Sequence, residues 1–195
     1  MIIDISQEVL SCAVYPGDPA PELKAAKRTA DGDNYNLSEL TMCVHNGTHI
    51  DAPFHFLGDG KTVEKMPLDS FVGAAYVCRV PGDISAEKAE EILESARMAG
   101  APERIIIADR GVVTAPAARV FADGGVRLVG TDSQSVGPEQ APMEVHLILL
   151  GREIVLLEGL VLDGVTEGKY FLSAAPLNLA GSDGSPCRAY LMTED

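Results

Sequence analysis

Three of the chain's four histidines fall within eleven residues of the run C-V-H-N-G-T-H-I-D-A-P-F-H-F, as His45, His49 and His55, with Asp51 among them. Neutral imidazole nitrogen together with carboxylate oxygen is a donor set that suits zinc, manganese or iron at neutral pH. On a helix, His45 and His49 would share a face at i and i+4. Gly47 and Pro53 argue against a helix, because one is a poor helix former and the other breaks the backbone ladder. In an extended chain, positions 45, 49, 51 and 55 also share one face. Four residues of ideal strand nevertheless span roughly 13 Å, too far to grip one ion comfortably. The spacing therefore predicts a strand kinked at Gly47, which folds His45 back toward His49 and Asp51.

The fourth histidine, His146, precedes Glu158 by twelve positions across L-I-L-L-G-R-E-I-V-L-L. A helix that stops at Gly151 and returns as a strand can bring the two side chains together. An ionised glutamate inside I-V-L-L-E-G-L-V-L is costly unless paired, and a metal ion removes that cost. The alternative is ordinary: Glu158 at a strand end in water and His146 on a helix surface.

These groups need a frame. With 195 residues, the chain is long enough for one domain with a full core. It is 46% hydrophobic and 23% charged, with no Trp, so Val, Ile, Leu and Ala must build that core. A net charge of −14 disfavours nucleic acid and anionic membranes as partners. No apolar run approaches the roughly 20 residues of a membrane span, and M-I-I-D-I-S does not read as a signal peptide. A cytoplasmic protein is expected, with Cys12, Cys43, Cys78 and Cys187 as buried reduced thiols.

Residues 2–5 and A-A-Y-V-C-R-V read as strands, and V-Y-P-G-D-P-A-P as a stiff loop. Leu40, Met42 and Val44 alternate with smaller or polar neighbours, which predicts a half-buried strand running into the histidine cluster. I-S-A-E-K-A-E-E-I-L-E-S-A-R-M-A-G reads as a helix with Ser85 as N-cap, an apolar stripe of Ala89, Ile92, Leu93 and Ala96, and a stop at Gly100. Strand R-I-I-I-A-D, helix A-P-A-A-R-V-F-A and strand V-R-L-V-G-T-D follow. Pro142 opens the short helix M-E-V-H-L-I-L-L ahead of strand E-I-V-L-L-E-G. Y-F-L-S-A-A-P and C-R-A-Y-L-M read as the last strands. One α/β domain over 1–195, with more strand than helix, accounts for this order. Asp132, Ser133 and Ser135 lie where a strand passes into a loop, either a site position or an ordinary turn. D-G-D-N at 31–34 reads as a turn rather than a calcium loop.

The run H-N-G-T-H-I-D-A-P-F-H resembles the H-x-G-T-H-x-D-x-P-x-H signature of the cyclase-type metal-dependent hydrolases, a group that includes bacterial kynurenine formamidases (arylformamidases) and isatin hydrolase. V-Y-P-G-D-P, G-T-D-S-Q-S-V-G, H-L-I-L-L-G-R-E-I-V-L-L-E-G-L and G-S-D-G-S-P-C-R-A-Y-L resemble further segments of that family, in the same order. The resemblance implies a swivelling β/β/α domain with a mixed central sheet, assembled as a homodimer or homotetramer. It implies His45, His49 and Asp51 as ligands of a first ion, with Asp51 bridging to a second ion held by His146 and Glu158. It implies one or two ions, zinc first and manganese second, and His55 as acid/base. The activity implied is hydrolysis of a small N-formyl or cyclic amide by metal-activated water. A lactone or ester hydrolase of the same family, or a metal-stabilised binding module without turnover, are the competing readings. Tyr15 and Asp132 are the candidate substrate contacts, although Tyr15 could equally pack against the core.

Overall fold

In a computed structural model that describes residues 1–193, the chain builds its frame on a nine-stranded mixed sheet. The strands in chain order are β1 (Ile2–Asp4), β2 (Glu22–Lys27), β3 (Leu37–Thr41), β4 (His49–Asp51), β5 (Val72–Arg79), β6 (Gly82–Ile84), β7 (Arg104–Ala108), β8 (Gly111–Val113), β9 (Leu128–Thr131), β10 (Val155–Glu158), β11 (Gly168–Ser173), β12 (Gly184–Pro186) and β13 (Tyr190–Met192). Three helices are interleaved, α1 (Ala86–Met98), α2 (Ala115–Asp123) and α3 (Met143–Leu150).

The sheet order is β1-β13-β11-β5-β7-β9-β10-β4-β12. Its centre, β5-β7-β9-β10, is parallel, and antiparallel strands close both flanks. Parallel neighbours need crossovers, and α1, α2 and α3 supply them. Strand β7 reads I-I-I because both of its faces are covered. Ile105 and Ile107 pack with α1 and α2, while Ile106 joins Ile50, Leu128 and Leu157 on the opposite face. The expected α/β class, with a single sheet joining both ends of the chain, is what forms.

Local chemistry explains most element ends. The Ser85 side chain accepts from the Lys88 N–H and caps α1, and Gly100 follows with φ +72°. Thr114 caps α2 in the same way, with Pro116 in its first turn. D-G-D-N is a turn, in which the Asp33 carboxylate accepts from the Arg28 N–H. All four cysteines are free thiols, but only Cys78 is buried; Cys12, Cys43 and Cys187 are half-buried. No helix among the described residues is long and apolar enough to cross a membrane.

One expected strand is displaced. The strand before the histidine cluster ends at Thr41 and lies in a two-stranded ribbon with β2, exposed along its length. Met42 and Val44 belong to the connection that follows. Apolar alternation set the expected phase, yet Leu40 is half exposed because the ribbon has no layer against it.

Candidate metal and hydrolase site

The site forms at the C-terminal end of β10, on the helix-bearing face of the sheet. Along β4, His49 and Asp51 point to one face and Ile50 to the other, which enters the core. Register with β10 sets Glu158 opposite His49 and Leu156 opposite Asp51. Leu156 packs in the helix-side core, so His49, Asp51 and Glu158 all face α3. From α3, His146 descends onto them beside the buried Val145, Leu149 and Leu150.

The kink lies where the glycine predicts it. Gly47 has φ +67°, a left-handed conformation that favours glycine. The Asn46 side-chain carbonyl accepts from the Cys43 N–H and tightens the turn. Thr48 Oγ donates to the Gly159 carbonyl at 2.6 Å, and Gln7 Nε2 donates to the same carbonyl. Gly159 is itself left-handed, and a Cβ there would come within 2.4 Å of the Gly47 carbonyl oxygen. Two glycines thus let the turn and the end of β10 touch, which folds His45 over Asp51.

The inner half of the site is defined by which ring nitrogens are already used. His49 Nδ1 donates to the Gly47 carbonyl at 2.9 Å, and His146 Nδ1 to the Pro142 carbonyl at 2.9 Å. A carbonyl only accepts, so each Nδ1 carries the hydrogen and each neutral ring presents a bare Nε2. His49 Nε2 faces Asp51 Oδ1 at 3.4 Å and Glu158 Oε2 at 3.7 Å. His146 Nε2 faces Glu158 Oε1 at 3.4 Å and Asp51 Oδ2 at 3.7 Å. Asp51 and Glu158 are 1% and 4% exposed. Four lone-pair donors therefore converge in a buried space, and only a cation or added protons can reconcile them.

The outer half differs. His45 Nδ1 meets Asp51 Oδ1 at 2.8 Å, and its Nε2 meets Asp183 Oδ2 at 2.8 Å. His55 Nδ1 reaches the same Asp183 oxygen at 3.2 Å. Among the described residues, two donor sets have all their ligand atoms within 4.8 Å of one another: His45, Asp51 and His55, and His49, Asp51 and Glu158. Asp51 belongs to both. The chemistry of the donors fits one or two divalent ions.

Electrostatics follow from this packing. Burial alone would lower the His45 pKa, but bonds to Asp51 and Asp183 outweigh it and raise it to about 9. His49 and His146 are likewise raised against their burial, by Asp51 and Glu158 respectively. Burial would raise Asp51, yet the neighbouring His45 and His49 imidazoles hold it well below the usual carboxylate range.

A cavity of about 270 Å³ opens over these groups, lined on its apolar side by Tyr15, Phe56 and Pro142. The Phe56 ring lies 4.6 Å from that of His146.

Residues 3–138 match the family model named Cyclase. A kynurenine formamidase of Salinibacter ruber is 39% identical over 207 residues, covering 97% of this chain and 96% of the relative. This chain belongs to the Cyclase family. A solved structure described as a potential metal-dependent hydrolase with cyclase activity superposes with a TM-score of 0.81 at 29% identity, covering 100% of this chain and 99% of the other. Isatin hydrolase A from Labrenzia aggregata has the same fold, with a TM-score of 0.82 at 21% identity, covering 100% and 94%. The family model's match ends before His146, Glu158 and Asp183, whereas the full-length relative spans them.

In this Cyclase-family chain the structure brings His45, His49, Asp51, His55, His146 and Glu158 to one place. Tyr15 lines the cavity, with its hydroxyl 3.4 Å from the Glu139 carbonyl. Asp132 is not among the residues lining the cavity, and its two carboxylate oxygens accept the N–H groups of Asp109 and Arg110, consecutive left-handed residues in the turn after β7. Ser135 lines the cavity instead. Sequence reasoning missed Asp183, which sits inside the quoted segment G-S-D-G-S-P but lies far along the chain from both histidines it contacts. Phe56 was also missed, although it directly follows the signature.

Proposed function

We propose that this chain is a metal-dependent hydrolase that cleaves a small N-formyl or cyclic amide, with His45, His49, Asp51, His146 and Glu158 as ligands and His55 as acid/base. Near full-length likeness to a relative named kynurenine formamidase makes it an amide-hydrolysing enzyme. One observation carries the reading: two imidazole Nε2 atoms, their tautomers set by backbone carbonyls, face the same pair of buried carboxylates at 3.4–3.7 Å. The mixed imidazole and carboxylate set suits zinc, and manganese fits the same donors.

A divalent ion bound there supplies a polarised carbonyl and a water whose pKa is brought toward neutrality. The remaining work falls to side chains. His55 is half-buried at the edge of the cavity, with Nδ1 against Asp183 and Nε2 left for proton transfer. It takes a proton from the attacking water and returns one to the departing nitrogen, which an amide requires because an unprotonated amine leaves poorly. Tyr15 and Phe56 flank the cavity and suit a small flat ring, while its limited volume excludes large substrates.

We read the protein as cytoplasmic, in keeping with its free thiols. We also read it as a homodimer or homotetramer, in keeping with the half-exposed Leu23, Leu37 and Leu40 on the β2–β3 ribbon. Metal analysis of the purified protein, paired with a hydrolysis screen of formanilides, cyclic amides and lactones, tests the function. Turnover confined to lactones would move the chemistry to the ester reading.

A further inference from the structure

We propose that Asp183 is a positioning residue whose single carboxylate fixes the tautomers of both outer histidines, giving the acid/base His55 its reactive Nε2 and the ligand His45 its free Nδ1. The inference rests on the function proposed above and extends it to a residue outside the signature.

Asp183 Oδ2 lies 2.8 Å from His45 Nε2 and 3.2 Å from His55 Nδ1, and the two rings lie 4.1 Å apart, tilted by 34°. An ionised carboxylate only accepts, so both facing ring nitrogens carry hydrogen. In a neutral His55 the other nitrogen is then bare, whereas His45 faces Asp51 as well and would give up its Nδ1 hydrogen, keeping the one on Nε2, only where an ion is held at Asp51. His45 Nδ1 points at Asp51, where an ion would be held, and His55 Nε2 is free to move a proton. A metal-ligating histidine whose second N–H goes to a carboxylate is a recurring way to set ring orientation and ligand basicity. Here the same oxygen serves a ligand and a proton carrier at once.

The backbone is built to keep this alignment. The Asp183 carbonyl accepts the Ala52 N–H at 2.9 Å, and the Ala52 carbonyl accepts the His55 N–H at 2.9 Å. Asp183 and His55 therefore hang from one short chain of main-chain bonds. Next to Asp183, Gly184 has no Cβ to obstruct His45: one built there would meet the Ile50 carbonyl at 2.6 Å and the His45 ring at 2.7 Å. The close fit of ring, glycine and carboxylate leaves His45 little freedom to turn.

A double-mutant cycle on the protein reconstituted with excess zinc tests this, with formanilide as substrate. Asp183→Asn keeps the size of the side chain, and we expect it to lower kcat by about 10²-fold, within the range for a misplaced acid/base, with KM changed less than about threefold. In a His55→Ala background the same change should cost clearly less, about threefold, because only the route through His45 remains and excess zinc keeps that site filled. Zinc affinity of Asp183→Asn, read by competition with a chelator, should weaken about 10- to 100-fold. The signature independent of activity is the ¹⁵N spectrum of the wild-type imidazoles: His55 should carry its hydrogen on Nδ1 and lose that preference in Asp183→Asn. Equal losses of kcat in both backgrounds, or a wild-type His55 protonated only on Nε2, overturn the proposal. If His55→Ala keeps the wild-type rate, the acid/base reading fails, and the ¹⁵N tautomer alone then decides for or against the role of Asp183.

Discussion

The two halves of the site solve the same problem with different parts. In the inner half, His49 and His146 give their Nδ1 hydrogens to the backbone carbonyls of Gly47 and Pro142. In the outer half, His45 and His55 turn instead to a side chain, Asp183. A backbone carbonyl comes with the fold, so the inner geometry exists once β4, β10 and α3 have packed. A carboxylate at a half-exposed turn is a separate commitment by the sequence, and it adds charge. The inner half is thus suited to holding an ion, and the outer half combines one further donor, His45, with a ring, His55, placed to move protons. Asp51 is the residue they share, touching His45 on one side and facing His49 and His146 on the other.

Breaking the shared residue has the largest effect. Asp51→Ala should remove bound metal and lower activity by more than about 10⁴-fold, beyond what loss of proton transfer alone would cost. Elemental analysis beside a formanilide assay reads both. A variant that kept its metal would show that the halves are not joined through Asp51. His55→Ala should disturb only the outer half, with activity falling about 10²- to 10⁴-fold while metal content stays at the wild-type level.

The halves also respond to pH in a way that sharpens the contrast. In metal-free protein the folded His45 pKa is raised to about 9 by Asp51 and Asp183. A raised histidine contributes stability that is fully present below its unfolded pKa of about 6.5 and is lost as pH climbs through the folded value. Metal-free protein should therefore melt at a lower temperature at pH 9 than at pH 6.5. Ion binding needs neutral rings, so metal affinity should rise over the same interval. Melting curves with and without a chelator at the two pH values should show opposite trends. Parallel trends would mean that His45 is not protonated in the metal-free form.

A smaller effect, on stability, tests the turn beneath both halves. Gly159→Ala combines a left-handed backbone with a Cβ only 2.4 Å from the Gly47 carbonyl. It should cost about 2–3 kcal/mol in denaturant unfolding. A cost near zero would show that the turn and the strand end can separate freely.

Much of this was legible in the sequence because its signals are local. Alternation in H-I-D puts His49 and Asp51 on one face, Gly47 marks the kink, and the Pro142 and Gly151 boundaries place His146 on a short helix. The signature then fixed the family. What escaped depends on the third dimension. Asp183 reaches His45 and His55 only because β12 pairs with β4, and nothing in G-S-D-G-S-P distinguishes such an acid from a turn residue. Asp132 shows the opposite case, an acid that the sequence singles out and the fold ties to its own backbone. A strand-end aspartate is a common site residue, but this one is consumed by two backbone N–H groups of a strained turn. The strand expected through Leu40, Met42 and Val44 failed because alternation reports an apolar face without saying whether anything covers it.

The central claim is that the inner carboxylate–imidazole cluster holds a catalytic cation. Stripping the protein with a chelator and returning zinc or manganese stepwise, while following ion uptake and formanilide hydrolysis together, tests it most directly. Activity should vanish on stripping and return in proportion to the ion taken up, with Asp51→Ala silent throughout. Full hydrolysis by the stripped protein, with no ion bound, would contradict the account.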